Sequence, residues 1–235
     1  MSRHNQVHTT RLESLSDTVF GFSIALLIVS VEVPSDFASL LEIIKGFTGF
    51  ALSFAMIILV WVYHYHYFRD YKLEDNTTIL LNSILLFVVL FYVFPLKYVV
   101  AVITTMMGGE FPVTIDEVAI LMAIYSAGFA AVFAVFGLMY LHANRQRAIL
   151  DLSAEQTITT QEQISNCLIM TGVGLFSVAL ALVLPSPWAG PIAGTCYFLI
   201  GPMQYINTRR YAQKRSSLGR NKTATPDSNK AEPGA

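Results

Sequence analysis

Long apolar runs separated by short polar breaks organise this chain. Six runs are long enough to cross a bilayer, at residues 12–33, 41–67, 77–102, 117–142, 161–184 and 188–207. A helix needs about 20 apolar residues to cross a hydrocarbon core of roughly 30 Å. The pattern predicts an all-α, polytopic membrane protein of six transmembrane helices. Ser35-Asp36 is suited to cap the second helix. Pro95 is expected to kink the third and Gly201-Pro202 the sixth. Pro185-Ser186-Pro187 reads as the tight turn between the last two spans. Residues 1–210 are expected to form the six-helix domain. Residues 211–235 read as a basic cytoplasmic tail, disordered after about Ser216 because it is rich in Lys, Asn, Ser and Pro.

Composition supports the membrane reading. Of the 235 residues, 54% are hydrophobic and 13% charged, against roughly 25% charged in soluble domains. Mean hydropathy is +0.54. The basic residues are one-sided. Arg3, Arg11, Arg69, Lys72, Arg145, Arg147 and seven residues from Arg209 onward fall on one side, leaving Lys45 and Lys97 opposite. Positive-inside orientation then makes both termini cytoplasmic, in agreement with an even number of spans. The opposite loops carry Glu32, Asp36, Glu42, Glu110, Asp116 and Glu117. Such an acidic mouth concentrates cations, although ordinary loop solvation accounts for it equally well. The N-terminal run is too long for a signal peptide and lacks a small-residue cleavage site. A multi-pass location in the cell (plasma) membrane is expected.

The first span has the most structured polarity. A charged cluster of Arg11, Glu13 and Asp17 precedes the uncharged stretch from Thr18 to Val31. At about 100° per residue, Thr18, Phe22, Ala25, Leu26, Val29 and Val33 share one stripe. Asp17 lies about 140° from Phe22 on the same wheel. Ser16, Ser23 and Ser30 repeat every seven residues on another side, where small residues allow close helix packing. Lipid exposure alone would explain the apolar stripe. The serine seam and Asp17, which is costly near lipid unless paired and turned inward, argue for burial in protein.

Three further polar residues are expected at the depth of Asp17: His64 and His66 on the second span, and Asn82 on the third. Carboxylate, imidazole and amide can satisfy one another in low dielectric. One histidine is expected to face Asp17 and the other the interface, where Trp61, Tyr63, Tyr65 and Tyr67 are also at home. A Ser-His-Asp hydrolase is disfavoured because no nucleophile elbow is present. His64-x-His66 lacks the i, i+4 spacing that puts two ligands on one helix face. There is no phosphate-binding glycine loop and no carbonyl filter sequence of the TVGYG type. Cys167 and Cys196 sit in apolar runs as small hydrophobes, without a disulfide. No enzymatic activity, cofactor, metal site or nucleic-acid partner is expected.

Residues 11–17, RLESLSD, closely resemble the R-x-x-x-F-S-D signature of the transmembrane protein one-seven-five family. That family comprises endosomal and lysosomal potassium channels and their prokaryotic relatives. The resemblance extends through Leu26-Leu27 to Val33-Pro34, to Trp61-x-x-His64 and to Asn82. The single six-helix repeat is similar to the prokaryotic members, which assemble as tetramers. The resemblance implies a homotetrameric, potassium-permeable channel in the lipid bilayer, with the first helices lining the pore. By position, the apolar constriction falls at Phe22, with Ala25 and Val29 as the next pore-facing residues. These are positions the wheel places on one stripe. Arg11, Ser16 and Asp17, with His64 and Asn82, would fix the pore helix against its neighbours. Three residues depart from the family pattern: Leu15 for Phe, Phe22 for Ile or Leu, and Ala25 for Thr. A ring of four phenylalanines narrows or closes the pore, and loss of the hydroxyl removes a polar contact for an ion.

Two other readings compete. One is a proton-coupled carrier using Asp17 and His64 as a titrating pair. It is disfavoured by the absence of a clear inverted repeat and by the position of the polar cluster near one membrane edge. The other is a membrane scaffold without transport, against which the family resemblance is the main argument.

Overall fold

The computed structural model describes residues 3–29, 35–107, 114–185 and 187–223. Every regular element among them is helical: α1 (Arg3–Val29), α2 (Phe37–Tyr71), α3 (Asn76–Met107), α4 (Ile115–Arg145), α5 (Ala154–Val183), α6 (Ala189–Thr195), a 3-10 turn (Cys196–Leu199) and α7 (Ile200–Thr223). Four apolar segments are long enough to cross a membrane: Phe50–Tyr71, Asn76–Leu96, Glu117–Arg145 and Ala154–Val183. These lie in α2 to α5. α1 and the last helical segment do not reach that measure within the described residues. α1 starts with the polar stretch up to Asp17, and α7 is mostly polar and basic beyond Gln204.

The helix starts follow local chemistry. Thr114 and Glu117 form a reciprocal capping box at α4, and Ser153 and Gln156 do the same at α5. Asp36 precedes α2, and its carbonyl accepts from the Leu40 N–H at 3.2 Å. Asp75 caps α3 by accepting from the Thr77 N–H at 3.2 Å and the Thr78 hydroxyl at 2.6 Å. α3 continues through Pro95. The sixth segment is interrupted: Pro202 cannot donate to the Phe198 carbonyl, and the turn just before it tightens to 3-10 geometry. The Ala193 carbonyl accepts there from the Ser177 hydroxyl and the Cys196 thiol, both at 2.9 Å. The Trp188 N–H donates to the Pro185 carbonyl at 3.1 Å, closing the turn between α5 and α6.

α4 is the hub. It packs against α2, α3, α5 and α6. Phe129, Phe133, Phe136 and Met139 of α4 are buried with Leu85 and Val89 of α3 and with Cys167 and Met170 of α5. α4 and α5 approach closely over small residues: a Cβ on Gly174 would lie 2.9 Å from that of Ala130. Cys167 and Cys196 are buried free thiols. The tail from residue 211, expected to be disordered after about Ser216, is helical as far as Thr223, and residues 224–235 lie outside the described residues. The cause is side-chain contact with α5. Arg215 pairs with the buried Glu162, and Asn207 accepts from the Ser165 hydroxyl and donates to Asn166.

Candidate pore helix and its anchoring network

α1 has two unlike sides. Ser16, Phe20, Ser23 and Leu27, one helical turn apart, are buried. α1 packs here against α2 and α3. The Ser16 and Ser23 hydroxyls donate back to the Leu12 and Val19 carbonyls at 2.8 Å, so neither is left unpaired in the interface. Small side chains with internally satisfied hydroxyls permit close approach. Ser30 lies outside the described residues.

Asn82 of α3 stands at the centre of the buried side. Its Oδ1 lies 2.9 Å from His64 Nε2 of α2, and its Nδ2 donates to Ser16 Oγ of α1 at 3.0 Å. With the amide so oriented, His64 Nε2 carries the proton and donates. The bonds then run in one direction, from His64 through Asn82 and Ser16 to the Leu12 carbonyl. His64, Asn82 and Ser16 are all buried. The imidazole is held between the rings of Phe20, at 5.4 Å, and Phe68, at 4.6 Å. Three helices are thus joined by one fully paired polar chain.

Asp17 is held separately. The Trp61 indole N–H donates to its Oδ1 at 2.8 Å. Asp17 is therefore paired, but it is exposed rather than turned into the core. Trp61 and His64 lie three residues apart on one face of α2, so one helix face grips α1 at two heights. Asp17 and His64 do not hydrogen-bond to each other: the first takes Trp61, the second Asn82. The other histidine, His66, is exposed. Arg11 is exposed too, where it lines a shallow groove of about 240 Å³ with Leu15, Glu74 and Ile79.

The opposite side of α1 carries Leu15, Thr18, Phe22, Ala25 and Ile28, all exposed in the single chain. Phe22 is 57% exposed, the largest apolar side chain on that face. Leu26, assigned by the wheel to the same stripe, is partly buried against the core. Val29 closes α1, and its side chain lies outside those described. Sequence reasoning missed two members of this arrangement. Trp61 was placed in the interfacial belt, although its i, i+3 relation to His64 points to α1. Ile28 shares the exposed face one residue before Val29.

Several apolar helices long enough to cross a bilayer, with α1 joined to its neighbours by a buried polar chain, define a polytopic helical membrane protein. The chain belongs to the family described as endosomal/lysosomal potassium channel TMEM175, which matches residues 11–92. It is 35% identical over 224 residues to a protein of Marivirga tractuosa named potassium channel, covering 89% of this chain and 90% of that one. A potassium channel of Chamaesiphon minutus is 29% identical over 206 residues, covering 83% and 92%. Among solved structures, a variant of the potassium channel MtTMEM175 bound to a nanobody–MBP fusion superposes with a TM-score of 0.78 at 35% identity, over 86% of this chain and 93% of that one. A lysosomal potassium-selective channel TMEM175 homolog from Chamaesiphon minutus gives a TM-score of 0.55 at 25% identity, over 85% and 97%.

Proposed function

We propose that this protein is a potassium-permeable channel of the cell membrane, a homotetramer of six-span subunits with both termini in the cytoplasm. In this reading residues 1–210 form the channel domain, and the helix beyond them projects into the cytoplasm. Four copies of α1 line the pore, with Phe22 as the narrowest ring and Ala25 and Val29 facing the same path. The observation that carries the reading is the two-sidedness of α1: its serine side is locked to α2 and α3, while Leu15, Thr18, Phe22 and Ala25 are exposed in the single chain. Ser16, Asp17, His64 and Asn82 hold the helix at a fixed rotation, and Arg11 belongs to the same charged start.

The mechanism follows from the apolar lining. A ring without carbonyl ligands cannot replace an ion's hydration shell, so passage depends on wetting of the constriction and on the dehydration cost. Discrimination between potassium and sodium is then modest. The test is a potassium gradient across proteoliposomes containing the purified protein. Conduction predicts a diffusion potential without added ionophore. A potential that develops only when protons are co-supplied would replace the channel with a coupled carrier.

A further inference from the structure

α4 packs against both α2 and α5, whose backbones stay apart among the described residues and are bridged at one end by the Tyr71–Thr160 hydrogen bond. The gap between them is a cleft of about 470 Å³, within the range of small-molecule sites. It extends along α2 from Val62 to Tyr71, about 14 Å of helix rise ending where the apolar span ends. That is the depth at which acyl chains give way to headgroups.

We propose that this cleft binds the headgroup of an aminophospholipid, with its phosphate on Arg69 and its primary ammonium on Asp70. The lining offers one cation and one anion side by side. Arg69 Nε and Asp70 Oδ1 are 2.9 Å apart, with side chains 53% and 47% exposed. An exposed pair between adjacent residues contributes little by itself, so the two charges are available for exchange onto a ligand. A zwitterion replaces that internal pair with two external ones and leaves no net charge behind. A purely anionic headgroup would meet the Asp70 carboxylate.

The remaining walls suit the same ligand. Gln163 and Asn166 of α5 also line the cleft; Gln163 brings an amide donor and acceptor, while the Asn166 Oδ1 already accepts from Asn207. Tyr63, Tyr71 and Tyr140 line the cleft as amphipathic aromatic walls. The Tyr71 hydroxyl is held by Thr160 Oγ1 at 2.7 Å, which fixes its ring. A primary ammonium can donate to the Asp70 carboxylate and to an amide oxygen. A quaternary choline has no N–H to give, so phosphatidylethanolamine is favoured over phosphatidylcholine. This inference concerns a surface away from α1 and stands whether or not the protein conducts.

The test is native mass spectrometry of the delipidated, detergent-purified protein. Phosphatidylethanolamine, phosphatidylcholine and phosphatidylglycerol with identical acyl chains are titrated separately. The ethanolamine lipid should be retained several-fold better than the other two. Asp70→Asn should lower its retention to the choline level, the double substitution Arg69→Gln/Asp70→Asn should lower it further, and Gln163→Ala should weaken it less. An unchanged size-exclusion profile establishes that each variant is folded. Equal retention of ethanolamine and choline lipids, or preference for the glycerol lipid, would overturn the proposal. So would full retention in the folded double variant. Displacement by the same concentration of water-soluble glycerophosphoethanolamine would contradict the lipid assignment.

Discussion

Asn82 spends both ends of its amide on other helices, accepting from His64 and donating to Ser16. Truncation therefore strands the buried His64 N–H, at a cost of roughly 1–3 kcal/mol, and takes one donor from Ser16, whose own bond to Leu12 remains. Asn82→Ala is expected to lower the melting temperature in detergent markedly, whereas Ser83→Ala, one residue away and exposed, should change it little. Phe22 belongs to the other kind of residue, exposed in the single chain. Phe22→Ala should raise potassium flux several-fold and reduce discrimination against sodium, with the melting temperature nearly unchanged. Ser16, His64 and Asn82 were legible in the sequence because a polar group in an apolar span must find a partner. The role of Trp61 was not, since an indole is equally at home at a membrane interface and on a carboxylate.

At the scale of elements, contacts at helix ends and crossings decide what the periodicity leaves open. α4 and α5 meet where Gly174 faces the Ala130 backbone, with Cα and N both 3.2 Å from an added Cβ. Backbone cannot move aside as a flexible side chain can. Gly174→Ala should therefore cost about 1–3 kcal/mol, read as a fall in melting temperature, while Gly172→Ala, with open space beside it, should be neutral. At the start of α3, Asp75 accepts from Thr78 and lies 2.9 Å from His142 Nε2 of α4. Desolvation alone would raise its pKa. The bonds from Thr78, His142 and the Thr77 N–H outweigh that and hold it below the ordinary 3.8. A depressed carboxylate stabilises the fold above its unfolded pKa, and that contribution fades as pH falls through the lower folded value. The advantage of wild type over Asp75→Asn should be complete at pH 6 and shrink below the ordinary carboxylate value, measured as melting temperature against pH. The helical tail could not be anticipated from composition. Its polar, basic residues look like a disordered segment until Glu162 and Asn166 of α5 supply partners for Arg215 and Asn207.

For the whole molecule, an exposed apolar face on α1 must be covered by lipid or by other copies. The proposal of four copies around a central path predicts a tetramer mass for the purified protein. It also predicts that Ser23→Leu, which forces bulk into the seam between α1 and its neighbours, weakens both the fold and the tetramer. The central claim is that the Phe22 face of α1 borders the ion path. Its most direct test is potassium flux through Phe22→Cys protein in proteoliposomes before and after a small, charged thiol reagent. The native cysteines are buried, so wild-type flux should be unaffected. In Phe22→Cys, flux should be blocked, and potassium present at high concentration should slow the block. Complete labelling of Cys at position 22 with undiminished flux would contradict the account and move the path away from α1.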